Sequence, residues 1–283
     1  MDYKVTTNGI ELPVTPDFDL AQTLNCGQCF RWNVQPDGSH LGVAFGHVLS
    51  IIETDRAILL AKITEQEFQQ TWCDYFDCNF DYGQVRNALS HRSPVLAQAA
   101  QFAPGMRILR QDPWEALISF ILSQNNNIPR IKGIVDRLCS LFGDSLGEQF
   151  TFPSASRLAN LTEDDLAPLR SGFRAKYILS AAQKVASGEI NLEALRTTPI
   201  DEARQKLMTI HGVGPKVAEC ALLYGLHRLE AFPMDVWMKR AMAELFPNKV
   251  PTDFGEYAGI AQQYIFHYSR NNPQLFEKSK QTA

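Results

Sequence analysis

Lys216 stands where a lysine is electrostatically out of place. The stretch Leu207-Met-Thr-Ile-His-Gly-Val-Gly-Pro-Lys-Val-Ala-Glu-Cys220 reads as an apolar helix running into Gly212-Val213-Gly214, after which Pro215 opens a second helix. Proline suits a first helical turn, because the N–H it lacks would be unpaired there. Lys216 therefore falls in that first turn, where the helix dipole favours anions. A site that disfavours the cation favours the neutral amine, and partial burial adds to this; a neutral amine is a nucleophile. Nineteen residues further on, Asp235 in Phe232-Pro-Met-Asp-Val-Trp237 precedes another apolar-periodic helix. A carboxylate facing the same cleft would take a proton from the lysine or stabilise positive charge developing on a sugar ring. Aspartate is also a preferred N-cap. The two readings are compatible, since a capping oxygen is held rigidly.

These side chains need elements to position them. Two glycines one residue apart allow a tight hairpin and close approach of the backbone to a ligand. The free N–H groups of the next helix suit a phosphate, although an ordinary helix–turn–helix corner has the same residues. From about Arg92 the pattern is helical, with expected helices Pro113–Gln124, Pro129–Phe142, Arg174–Ser187, Pro215–Tyr224, Val236–Phe246 and Tyr257–Ser269. Thr162-Glu163-Asp164-Asp165 reads as a helix cap with an acidic first turn. Before Arg92, CFRWNV, LGVAFGHVLSIIET and AILLAKI are rich in β-branched and aromatic residues. Pro36-Asp37-Gly38-Ser39 marks a turn, and a helix is expected from Thr64 towards Phe76. The expected fold is α+β: a small antiparallel sheet domain over residues 1–100, then a helical domain over 101–283.

The chain has 283 residues, 45% hydrophobic and 20% charged, which fits a globular protein with a substantial core. Its formal charge of −4 is uneven: residues 1–100 carry 6 Lys+Arg against 12 Asp+Glu, and residues 101–283 carry 21 against 19. A nucleic-acid surface is therefore expected to be a local patch in the second part. The six cysteines are expected as thiols. Cys26 and Cys29 form a CxxC, but Cys73 and Cys78 are spaced differently and no His lies close, so neither zinc nor an iron–sulfur cluster is expected. No stretch approaches the roughly 20 apolar residues of a membrane helix. The sequence starts without a basic run followed by an apolar run, and an intracellular location is expected, cytoplasm and nucleoid in a bacterium or nucleus in a eukaryote.

Ile210-His-Gly-Val-Gly-Pro-Lys-Val-Ala, followed by Pro233-Met-Asp-Val, resembles the helix–hairpin–helix DNA glycosylases. The resemblance implies that the hairpin grips DNA phosphates through the backbone at Gly212, Gly214 and Val217, that Asp235 is catalytic, and that Lys216 attacks C1′ and forms a Schiff base. Three further stretches resemble the 8-oxoguanine DNA glycosylases in particular. Trp114 to Ile131 contains Gln-Asn-Asn-Asn, and the family places the residues matching Asn125 and Arg130 near the orphaned cytosine. Ser171-Gly-Phe-Arg-Ala-Lys-Tyr177 resembles a segment whose aromatic, here Phe173 in place of Tyr, wedges into the base stack while Arg174 contacts the cytosine. Asn25-Cys-Gly-Gln-Cys-Phe-Arg-Trp32 resembles a signature whose glycine carbonyl, here that of Gly27, accepts from N7–H of 8-oxoguanine. Normal guanine has a bare N7 acceptor, and such a buried mismatch costs about 1–3 kcal/mol. By the same resemblance Phe266 stacks on the flipped base, Gln262 bonds its Watson–Crick edge, and Cys220 covers its other face. Trp237 departs from the family, where a His is common.

The resemblance covers nearly the whole chain. It implies a sheet domain like a TATA-binding-protein repeat, a helical glycosylase domain, and a monomer acting on double-stranded DNA that contains 8-oxoguanine. It implies no redox cofactor and no catalytic metal, with at most a structural monovalent or divalent cation at the hairpin. Read without it, the triple Asn is a helix-ending polar turn, Gly27 a strand bulge, and Phe173 and Phe266 core residues. The alternatives are an endonuclease III-like glycosylase for oxidised pyrimidines, which lacks such a sheet domain and carries a cysteine cluster, and a non-catalytic helix–hairpin–helix DNA-binding module, which needs neither Lys216 nor Asp235.

Overall fold

The computed structural model describes residues 1–276. Six strands form one antiparallel sheet: β1 (Lys4–Thr6), β2 (Gly9–Pro13), β3 (Trp32–Val34), β4 (His40–Ala44), β5 (His47–Glu53) and β6 (Ala57–Ala61), in spatial order β1-β2-β6-β5-β4-β3. Alternate residues face one side, the period-two rule of a strand. Ile51 lies opposite Leu60, and Leu60 opposite Ile10, so a buried apolar row crosses three strands. Phe68, Trp72 and Phe76 cover this face. Trp32 joins them and donates its indole N–H to the Tyr75 hydroxyl at 2.7 Å. Gly42 makes room for that indole: a Cβ there would lie 2.3 Å from the ring.

The sheet adds detail that the β-rich segments did not show. LGVAFGHVLSIIET is not one run: Phe45 (φ 51°) and Gly46 (φ 78°) both turn left-handed and fold it into the β4–β5 hairpin. β1 and β2 carry no strong strand signal and were not expected. The helix after Thr64 is present, capped reciprocally by Thr64 and Glu67, but it widens into a π-helical turn over Phe68–Trp72.

The second core is helical. Its centre is Pro113–Leu122, in which every residue from Ala116 to Leu122 is buried, as a helix that is apolar all round must be. Ile128–Phe142, Ala175–Ala186, Ile200–Met208, Pro215–Cys220, Val236–Leu245 and Ala258–Asn271 surround it. Tyr82, Val85, Leu89 and Leu96 also pack into this core, although they precede residue 100. Pro215–Cys220 is shorter than expected because a π-helical turn, Ala221–Gly225, takes over. Thr162 does pair reciprocally with Asp165, but a turn and a short 3-10 segment, Ala167–Leu169, follow instead of an α-helix. Pro168 lies inside that segment, and Arg170 turns left-handed directly after it.

A buried polar joint ties the two cores together. The Asp77 carboxylate accepts from Arg110 Nε (2.7 Å) and the Tyr82 hydroxyl (3.0 Å) and lies 3.1 Å from His227 Nε2. Arg107 donates to the Asp77 carbonyl at 2.7 Å, with its guanidinium over the Tyr82 ring.

Candidate active site

Five segments converge on one pocket. It is lined by Cys26, Gly27, Phe120, Lys216, Cys220, Tyr224, Pro233, Asp235, Gln262 and Phe266. All six residues singled out for catalysis and base binding are among them. An outer cleft of 310 Å³ shares Gly27, Phe120, Lys216, Asp235 and Phe266 with this pocket and adds Ser123, Asn126, Asn127, Trp237 and Arg270 at the rim. A larger cavity, 770 Å³, lies elsewhere, between Phe45 and the segment 151–157, and none of the six lines it.

Lys216 is the second residue of Pro215–Cys220 and half-buried. It donates from Nζ to Ser123 Oγ at 2.9 Å, and Nζ stands 5.3 Å from the centroid of the Phe120 ring. Ser123 donates its own proton to the Phe120 carbonyl at 2.8 Å, which leaves its lone pairs for the lysine. Asp235 caps Val236–Leu245 by accepting from Met238 N–H at 2.7 Å through Oδ1, so its orientation is fixed by the helix it starts. Burial pushes the Cys220 thiol up to about 11; Lys216 pulls it down and Asp235 and Glu219 push it up, without overcoming the burial. Cys220 therefore meets a ligand as a neutral thiol.

Gly27 takes φ 89°, a conformation that favours glycine, and its loop is clamped from both sides. Gln28 donates to the carbonyls of Thr23 and Arg107 and accepts from Leu109 N–H. Gln263 donates to the Cys26 carbonyl at 3.1 Å and accepts from the Tyr224 hydroxyl at 2.5 Å. Its neighbour Gln262 is buried, yet its Oε1 has no partner. An amide oxygen left in that state costs about 1–3 kcal/mol unless a ligand or water answers it.

The hairpin has the expected shape. Gly212 turns left-handed (φ 84°), and a Cβ there would lie 2.2 Å from the Tyr177 ring. Gly214 is the N-cap and offers no side-chain hydrogen bond, so the first-turn N–H groups lack the carboxylate or amide cap that Asp112, Asn127 and Asp235 give their helices. Val217 is buried, and only its backbone can serve a ligand.

The remaining four candidates line neither the pocket nor the outer cleft. Asn125 is exposed in a left-handed conformation (φ 46°). Phe173 is 49% exposed and so is no core residue. Arg130 is exposed, with Nη2 3.5 Å from the Arg170 carbonyl. Arg174 is turned inward: it is buried and donates to the carbonyls of Gln124, Asn125 and Ser171, with its guanidinium 4.4 Å from the Phe173 ring centroid. It holds the triple-Asn turn against the Gly172–Arg174 turn.

Similarity to known proteins follows the same lines. Residues 11–117 match the 8-oxoguanine DNA glycosylase N-terminal domain, and residues 118–253 match the HhH-GPD superfamily of base excision DNA repair proteins. The N-glycosylase/DNA lyase OGG1 of Arabidopsis thaliana is 32% identical over 284 residues, covering 88% of this chain and 77% of the relative. The chain belongs to the 8-oxoguanine DNA glycosylase family. Among solved structures of that family, the Clostridium acetobutylicum 8-oxoguanine glycosylase/lyase, in complex with double-stranded DNA containing cytosine opposite 8-oxoguanine, superposes with a TM-score of 0.89. It is 35% identical and covers 96% of this chain and 99% of that one. The structure of MBOgg1 with a low-affinity DNA ligand also gives 0.89, at 43% identity, covering 96% of this chain and 100% of that one. The α+β architecture of a sheet followed by a helical domain is the family's.

Several residues of this family member's site went unseen in the sequence. Phe120 and Ser123, three apart on one helical face, lie inside the motif that supplied Asn125. Gln263 had a signal, a second glutamine in an otherwise apolar helix. Among the described residues, no group of three or more His, Cys, Asp or Glu is placed to hold a metal, and no helix is long and apolar enough to cross a membrane. Cys26 and Cys29 are separate buried thiols.

Proposed function

We propose that this protein is a bifunctional DNA glycosylase and abasic-site lyase that removes 8-oxoguanine from duplex DNA, preferentially opposite cytosine. The observation that carries the reading is the pocket itself: an amine and a carboxylate face one chamber that also presents Gly27, the neutral thiol of Cys220, the Phe266 ring and the unanswered amide oxygen of Gln262. An oxidised purine taken out of the stack offers a face to Phe266 and N–H donors to Gln262 and Gly27. The chamber measures 60 Å³, far below the roughly 300–1,000 Å³ of a preformed small-ligand site, so its lining opens when a base enters, and Phe266, half-buried between chamber and outer cleft, is placed to move.

The chemistry needs no redox cofactor and no catalytic metal. Lys216, held by Ser123, attacks C1′ as the neutral amine; the C1′–N9 bond breaks and its electron pair leaves with the base. Asp235 stabilises the positive charge developing on the sugar. The two protons of the amine pass, by way of Asp235 and water, to the departing base and to the ring oxygen O4′ as the sugar ring opens, leaving an imine between Lys216 and C1′. Loss of a C2′ proton then expels the 3′ phosphate, and water returns the lysine. First-turn N–H groups after Gly214 take a phosphate. Phe173 fills the space of the displaced base, Asn125 and Arg130 hold the opposite strand, and Arg174, buried and bonded to the Asn125 carbonyl, steadies Asn125 and does not itself reach the cytosine. A DNA substrate supports an intracellular location.

The test is base release from duplexes carrying 8-oxoguanine opposite each of the four bases, beside thymine glycol and undamaged duplexes. Release of 8-oxoguanine, fastest opposite cytosine, is expected. Release from thymine glycol alone would move the protein to oxidised pyrimidines, and equal rates opposite all four bases would remove the opposite-strand role.

A further inference from the structure

The helix Ala258–Asn271 presents Gln262, Phe266 and Arg270 at successive spacings of four, hence along one face. The face runs from a buried amide through a half-buried ring to an exposed cation. Of the three, Phe266 alone lines both the inner pocket and the outer cleft, and Arg270 alone lies wholly at the mouth. Its guanidinium carbon stands 5.7 Å from the centroid of the Phe266 ring. That is close to the roughly 6 Å limit of a cation–π contact, so the hold is weak. Arg270 is also the one ionisable residue lining the outer cleft besides the catalytic pair Lys216 and Asp235.

We propose that Arg270 is a positioning residue that grips a backbone phosphate beside the flipped nucleotide and couples this grip to the movement of Phe266. The inference rests on the proposed function and adds to it a state-specific contact. A guanidinium matches a phosphate with two parallel N–H donors. A nucleotide entering past Trp237 and Phe266 must bring its flanking phosphates to this mouth, because the base fills the chamber behind. Movement of the Phe266 ring onto the base removes the weak contact that holds Arg270, and the guanidinium turns to the phosphate. Arg270 also lies in the last helical turn, where a cation serves the helix dipole. That purely structural service predicts no dependence on the state of the DNA.

Binding of the full chain to a duplex whose 8-oxoguanine nucleotide carries a 2′-fluorine, which resists cleavage of the glycosidic bond, and to an undamaged duplex, each over a range of salt, separates the two. For Arg270→Leu the slope of log K against log salt should become shallower by about 0.9, one phosphate contact, on the 2′-fluoro 8-oxoguanine duplex only. Affinity for that duplex should fall by about tenfold or more, the loss of one charge-assisted hydrogen-bonded contact. Arg270→Lys should restore the slope and part of the affinity. An unchanged slope on both duplexes, or the same change on both, overturns the proposal. Wild-type protein that releases no 8-oxoguanine marks the failure of the proposed function itself, whereas active wild type with an unchanged slope in Arg270→Leu marks the failure of this inference alone.

Discussion

Asp235 meets two demands with one side chain. Its Oδ1 caps a helix, and its carboxylate lines the pocket of Lys216. The two demands separate by substitution. Asparagine is as good an N-cap as aspartate, so Asp235→Asn should leave the melting temperature nearly unchanged while single-turnover base release drops by orders of magnitude. Asp235→Ala should lose the release and, in addition, about 1 kcal/mol of stability. Equal release by the asparagine variant and wild type would reduce Asp235 to a cap. Lys216 presents the opposite case, a residue unsuited to its helix position and held there by Ser123 and Phe120.

At the scale of the element, the hairpin uses its two glycines for different reasons. Gly212 is required by the fold, through its left-handed φ and the Tyr177 ring against it. Gly212→Ala should therefore cost about 1–3 kcal/mol through strain and overpacking. Gly214 has φ −95° and nothing within 4 Å of an added Cβ. The free protein gives no reason for glycine there; a DNA backbone drawn close to the first-turn N–H groups does. Gly214→Ala should keep the wild-type melting temperature and weaken binding to duplex DNA. A drop in stability with unchanged binding would contradict this. The glycine pattern was legible in sequence because the hairpin is local. The π-helical turns at Phe68–Trp72 and Ala221–Gly225 were not, because packing and not propensity decides how a helix widens. Thr162 misled for a related reason: its cap is local, but the helix it should start is cut short at Pro168.

The whole molecule depends on a joint the sequence did not reveal. Asp77, His227, Tyr82, Arg107 and Arg110 are scattered along the chain and meet only in the fold. Burial pushes the Asp77 carboxyl up, but His227 and Arg110 outweigh it, and the net direction is down. A carboxylate held below its unfolded pKa of about 3.9 stabilises the fold above that pH and loses the contribution as pH falls through the folded value. Asp77→Asn should cost about 3–5 kcal/mol near neutrality, and its deficit against wild type should shrink as pH falls below about 4. A deficit independent of pH would assign the loss to packing instead.

The same distinction between local and long-range contacts explains the pocket. Lys216 and Asp235 were legible as chemistry because each lies in a short motif. Gly27, Cys220, Gln262 and Phe266 were legible only through family resemblance, since nothing in their spacing requires them to meet. Lys216 as nucleophile makes a covalent imine with the sugar, which borohydride traps. Incubated with a duplex carrying one 8-oxoguanine opposite cytosine, the wild-type protein should form a covalent adduct that Lys216→Gln does not form, while that variant still binds the duplex. An adduct in the variant, or none in an active wild type, would contradict the account.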